Sequence, residues 1–151
     1  MKNKKKADWL DWLLRIAIVL GIIGTFYFSY SPAKNYVTAK QEEAKIEEVS
    51  KKVVENTNDY PDVKEIKKST NEDVVGWIRV PGTNIDEPIL QTTDNDYYLN
   101  HSLTKEELDV GSIFLDAKAN SNYDNNFNFV FGHNTYIDNK FPQLRKFSDS
   151  E

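Results

Sequence analysis

Apolar and polar positions divide the chain into three textures. Ile16 to Phe28 carries no charged residue, and the 21 residues from Leu10 to Tyr30 form one apolar run. At about 1.5 Å per residue, a helix of that length crosses a hydrocarbon core of roughly 30 Å. From Ser31 to Val75 the chain is polar, with a thin apolar stripe through Ala39, Ile46, Val49 and Val53 set among good helix formers. That spacing predicts a helix, read as a solvated stalk or one lying against a domain; the stripe covers too few heptads to claim a coiled coil. Glu42, Glu43, Glu47 and Glu48 precede lysines at distances that support a helix. Pro61 ends it, and the segment beginning at Val63 predicts a second short helix.

Beyond Gly76 the pattern changes to alternation. Strands are predicted in Gly76–Val80, Asn84–Thr92 (where Pro88 suggests an edge or bulge), Gly111–Asp116 and Phe127–Asn134. A turn and short helix or loop is expected around Thr93–Leu103. Phe141, Leu144 and Phe147 stand three apart, as on a helical turn. Strands predominate there without βαβ alternation, so the expected fold is mainly β, a barrel or sandwich rather than a parallel sheet. Four strands are few for a closed barrel, so the barrel is expected to be incomplete. The implied organisation is a basic tail (1–8), a membrane anchor (9–30), a helical linker (31–75) and a β domain (76–151).

Charge gives the first segment a direction. Residues 1–15 hold five basic and two acidic groups, four of the bases being lysines ahead of Trp9. Basic flanks stay in the cytoplasm, which predicts a single-pass anchor with its amino terminus inside and the rest of the chain outside. Trp9 and Trp12 at one end, and Tyr27 and Tyr30 at the other, fit aromatic belts, while Asp11 and Arg15 lie close enough to one end to reach the interface. A cleaved signal peptide, with small residues near Ser31 and Ala33, and a buried core helix are the competing readings. Residues 76–151 hold six basic and twelve acidic groups, a balance that argues against nucleic acid as partner. The chain has no cysteine, so it forms no disulfide.

His133 is the foremost candidate for chemistry. Gly132 and Asn134 flank it where an apolar strand gives way to a polar loop, and an imidazole titrates in the range proton transfer requires. The residues alone also allow a structural or surface histidine. His101 stands in a polar, loop-like context and reads as structural. A metal site combining the two histidines with Asp94, Asp96 or Asp116 lacks close ligand spacing except between Asp94 and Asp96. Ser112 heads a strand without a nucleophile-elbow pattern, Glu106 and Glu107 read as solvated, and no phosphate-cradling glycine motif occurs.

Several motifs then recur in a fixed order: Gly76-Trp77-Ile78, Thr83-x-Ile85-Asp86-x-Pro88, Asp94-Asn95-x-x-Tyr98-Leu99, Gly111-Ser112-Ile113-Phe114 and Gly132-His133-Asn134. In this order, from about Asn71 to Phe147, the chain resembles the amino-terminal half of class B sortases, the membrane-anchored cysteine transpeptidases of Gram-positive bacteria. One departure is Glu87, where the family more often has an aromatic residue. The resemblance implies a closed β-barrel with a His-Cys-Arg site; no cofactor and no metal are expected. A thiolate attacks a sorting-signal peptide, the histidine protonates the leaving amine, and the arginine stabilises the oxyanion. An amine of the peptidoglycan precursor then resolves the acyl-enzyme.

Only the histidine carries over, onto His133. The family's Thr-x-Thr-Cys strand and its later arginine strand have no counterpart; Arg145 follows the histidine too soon, and Arg79 lies on an early strand. Neither Ser112 nor Ser148 matches the nucleophile's position. The chain as given is therefore expected to be a truncated sortase without transpeptidase activity. Two other classes remain open: a membrane-tethered, non-enzymatic binding or scaffold module derived from a sortase, and a metal-dependent hydrolase using His101 and His133.

Overall fold

A computed structural model describes residues 2–54, 60–134 and 140–148. The expected end of the linker helix at 55–59, the loop following His133 at 135–139 and the polar tail at 149–151 lie outside these residues. So do the side chains of residues 2–8, 31 and 52–54, which include the basic cluster and Val53. The chain forms two compact units, Met1–Lys34 and Asn35–Glu151.

The first helix, α1, runs from Lys2 to Val54. Its apolar part has a mean hydropathy of 1.8, is not buried, and is long and apolar enough to cross a membrane. Pro32 lies inside the helix and cannot donate to the Phe28 carbonyl one turn earlier.

Within the second unit, the remainder of α1 is the helix lying against a domain that the thin stripe allowed. Ala39 and Ile46 are buried, as is the Glu42 side chain between them. Ile46 joins Ile66, Val74, Leu90, Tyr98, Leu103 and Phe114 in one core cluster. A fully buried Ile or Leu contributes about 1.5–3 kcal/mol, so even a narrow stripe suffices to hold the helix. The second helix, α2 (Val63–Ser69), buries only Ile66. Its amino-terminal end is capped by Asp62, which accepts from the Lys64 N–H at 2.9 Å, and lysines fill its last turn.

Four strands follow: β1 (Val74–Arg79), β2 (Asp86–Leu90), β3 (Ile113–Leu115) and β4 (Val130–Phe131). β1 and β2 form an antiparallel hairpin with a register shift between Val74 and Gly76. Its turn uses Gly82 at φ +84°, and Thr83 Oγ1 donates to the Val80 carbonyl at 2.7 Å. β3 pairs antiparallel with β4, opposing Phe114 to Phe131 and Leu115 to Val130.

β2 and β3, however, run parallel, with Ile89 beside Ile113 and Leu90 beside Phe114. The sheet is mixed and open, in the order β1-β2-β3-β4. The sheet as a whole is not a parallel one, but this pair leaves no sign in the sequence pattern. A crossover needs a dozen or more residues but no long helix, and residues 91–112 supply it with loops and one 3₁₀ turn at Tyr97–Leu99. The expectation of a mainly β chain is not met either: α1 alone has 53 residues, while the strands have six, five, three and two.

Both faces of the sheet are covered. Leu90 and Phe114 point into the cluster shared with Ile46. Their neighbours Ile89, Ile113 and Leu115 point into a second cluster with Ile85, against which Val130 and Phe141 pack. This two-residue alternation is the one read from the sequence. The expected terminal helical turn is a 3₁₀ helix, Phe141–Phe147. Its Pro142 and Gln143 are buried, while Leu144 and Phe147 are exposed.

Candidate active site

β4 delivers His133 to the edge of a pocket. The strand ends at Phe131, and Gly132 passes so close to Phe141 that an added Cβ would stand 3.2 Å from its ring. The pocket has a volume of about 570 Å³. Leu99, Phe114, Phe131 and Phe141 form its apolar wall, and Asn95, His133 and Asn134 its polar rim. The Phe114 and Phe131 rings meet at 5.5 Å between centroids, as the β3–β4 pairing dictates. A concave apolar surface with few polar groups suits an extended peptide or a small ligand.

His133 is half-buried, and its Nε2 lies 2.7 Å from the Leu99 carbonyl oxygen. A carbonyl can only accept, so Nε2 carries the proton and donates. Next to it, the Asn134 side-chain oxygen accepts from Arg145 Nη2 at 3.0 Å. Nothing in the local pattern joins Arg145 to the His133 loop; the 3₁₀ turn carrying it brings the two together.

The other candidates have structural roles. His101 stacks on Tyr97 at 4.0 Å between centroids, and its Nδ1 donates to the Tyr97 carbonyl at 2.7 Å. Asp94 Oδ1 accepts from the N–H groups of Asp96 and Tyr97 at 2.9 and 2.8 Å, contacts that hold its carboxyl below the usual range. Ser112 is buried and donates to the His101 carbonyl at 2.8 Å. Ser148 donates to the Arg145 carbonyl at 2.7 Å. Glu106 pairs with Lys45 at 2.7 Å, Glu107 bridges to His101 through the backbone, and Arg79 pairs with Asp86 at 3.0 Å. Among the described residues, no group of three or more metal-ligating side chains is gathered.

One charged pair was not foreseen. Glu87 is buried, and Lys140 Nζ donates to its Oε2 at 2.6 Å. Burial pushes the Glu87 carboxyl upward, and the Lys140 ammonium pulls against it.

No protein-family model matches the chain. Among curated relatives, it is 41% identical over 81 residues to sortase B of Listeria monocytogenes, covering 54% of this chain and 33% of that protein. It is 29% identical over 139 residues to sortase B of Staphylococcus aureus, covering 89% of this chain and 57% of the relative. Among solved structures, sortase B of Bacillus anthracis in complex with AAEK1 superposes with a TM-score of 0.67 at 28% identity, covering 78% of this chain and 56% of that one. A Staphylococcus aureus sortase B–substrate complex gives 0.55 at 28% identity, covering 79% and 52%.

The open mixed sheet therefore resembles the corresponding part of solved sortases. By sequence and by structure the chain is similar to class B sortases, as the ordered motifs indicated. It spans between a third and three fifths of the length of the curated relatives it matches.

Proposed function

We propose that the protein serves the class B sortase reaction: cleavage of a carboxy-terminal sorting signal and attachment of the surface protein to a peptidoglycan amine. The observation that carries this reading is the placement of His133 at the mouth of the apolar pocket, held by a backbone carbonyl. His133 is the acid–base residue and protonates the leaving amine. The pocket takes the sorting-signal peptide; the similar Staphylococcus aureus sortase B was solved as a substrate complex.

The reaction also needs a thiolate and an oxyanion-stabilising arginine. The 151 residues contain no cysteine, so on this reading they do not turn over a sorting peptide by themselves. Residues 9–30 anchor the protein in a single pass with the tail 1–8 in the cytoplasm. Residues 31–75 form the linker and 76–151 the catalytic-domain portion, which faces the cell wall.

The test is a fluorogenic sorting peptide offered to two chains. The 151-residue chain is expected to give no turnover. A chain extended through any downstream reading frame that encodes the Thr-x-Thr-Cys strand and a later arginine is expected to be active. Replacing His133 by Ala should cost that longer chain about 10²–10⁴-fold. Turnover by the short chain that depends on His133 would overturn the account. The missing cysteine itself favours a second reading, a tethered non-enzymatic module; the absence of any such downstream frame would support it.

A further inference from the structure

The carbonyl that holds His133 belongs to a run of backbone groups that are all engaged. The Tyr97 oxygen accepts from His101 Nδ1. The Tyr98 oxygen accepts from the Ser112 N–H at 2.9 Å, and the Asn100 oxygen from the Leu108 N–H at 2.9 Å. Ser112 Oγ donates to the His101 oxygen. The segment 108–112 therefore satisfies the carbonyls on either side of Leu99, and the Leu99 carbonyl itself is left to His133.

This interlock depends on the backbone at Gly111. Its φ is +54°, and its N–H donates to the Leu108 carbonyl at 2.7 Å. A Cβ there would stand 2.6 Å from the Leu99 carbonyl carbon and closer still to the Tyr98 and Leu99 oxygens. Those neighbours are backbone, not flexible side-chain ends. Any other residue would have to push away the very peptide group on which His133 rests.

We propose that Gly111 is a positioning residue for His133: by leaving room for the Leu99 carbonyl, it fixes the imidazole with Nε2 protonated and leaves Nδ1 to exchange the proton. The consequence for acid–base work, which rests on the sortase reading above, follows from valence. The neutral ring has one N–H and the imidazolium has two, so the Nε2–H···O bond persists in both states. The proton cycles at Nδ1 while the ring stays oriented. Had the carbonyl taken Nδ1, the other nitrogen would do the work from a different place.

The chain has only two histidines, which makes the test direct. The full chain, labelled with ¹⁵N-histidine in detergent micelles, is examined by NMR at a pH where both rings are neutral. His133 is expected to be protonated at Nε2, with a slowly exchanging proton, and His101 at Nδ1, the opposite tautomer. Gly111→Ala should speed exchange of the His133 Nε2 proton by about tenfold or more, the loss of one hydrogen bond, and leave the His101 tautomer in place.

A wild-type His133 protonated at Nδ1, or an Nε2 proton that exchanges as freely as in an unfolded peptide, would overturn the proposal. So would a Gly111→Ala variant whose His133 proton stays slow. If that variant does not fold, Ser112→Ala removes the Oγ bond that ties segment 108–112 to the His101 carbonyl and should give a smaller gain in exchange; no gain there counts against the proposal. Failure of the longer chain to process a sorting peptide would sink the sortase reading and leave the tautomer assignment standing.

Discussion

The folded unit keeps two polar centres inside it, built on opposite terms. Around Tyr98 the groups are mostly neutral and all engaged. Its hydroxyl donates to Asp73 at 2.7 Å and accepts from Asn71 at 2.9 Å, and Asn71 also donates to the Leu103 carbonyl at 2.8 Å. Around Glu87 a single ion pair with Lys140 stands with both side chains almost wholly withdrawn from water, at 6% and 2% exposure. The first centre spreads its desolvation over several hydrogen bonds, whereas the second places it on two charges that depend on one another. A network tolerates loss of one member. A buried pair does not.

The sharpest way to break that comparison is to remove one partner of the pair. Lys140→Met leaves Glu87 buried without its cation and is expected to cost about 3–5 kcal/mol. The double change Glu87→Leu with Lys140→Met should recover most of that loss, because two apolar side chains need no desolvation. Chemical denaturation of the full chain in micelles checks both, followed by Trp77 fluorescence in variants lacking Trp9 and Trp12. A single variant as stable as the parent would show that the pair carries no stability.

The neutral centre should give a smaller effect. Tyr98→Phe keeps the ring in the core and removes only the hydroxyl, leaving Asn71 and Asp73 with other or solvent partners. About 1–2 kcal/mol is expected in the same assay. Burial, with the Asp73 carboxylate adding to it, raises the Tyr98 phenol well above its ordinary range. The folded protein therefore holds this proton where the unfolded chain releases it. Stability falls as pH rises past 10.0, the ordinary tyrosine value, and the Tyr98→Phe change should remove that part of the decline.

These two centres also mark what the sequence reveals. Tyr98 and Leu99 belong to a motif that can be read in order, and His133 is visible because Gly132 and Asn134 frame it after an apolar strand. The alternation of Ile89 with Leu90 and of Ile113 with Phe114 sorts both faces of the sheet correctly. Other features leave no local trace. The Leu99 carbonyl that holds His133 is a backbone group 34 residues away, common to every residue type. Glu87 and Lys140 lie 53 residues apart, and nothing in the stretch around either one points to the other. The parallel pairing of β2 with β3 escapes detection because its crossover is built of loops, which carry no periodicity.

The smallest effect concerns the helix that docks on this unit. Glu42 lies on α1 between Ala39 and Ile46, and its Oε1 accepts from the Leu103 N–H at 2.8 Å. Burial raises its carboxyl above the ordinary value of 4.5, although the Leu103 N–H and then Lys45 oppose the shift. The folded state thus binds this proton more tightly than the unfolded chain does. The resulting stability is fully present below pH 4.5 and declines as pH rises through the higher folded value. Glu42→Gln keeps an oxygen for Leu103 and removes the charge that must be desolvated. It should change stability by less than about 1 kcal/mol at acid pH and flatten the decline toward neutrality. Denaturation midpoints at acid and neutral pH check this. If the Gln variant declines as steeply as the parent, Glu42 is not the group responsible, and the pH dependence of the docked helix lies with its exposed neighbours instead.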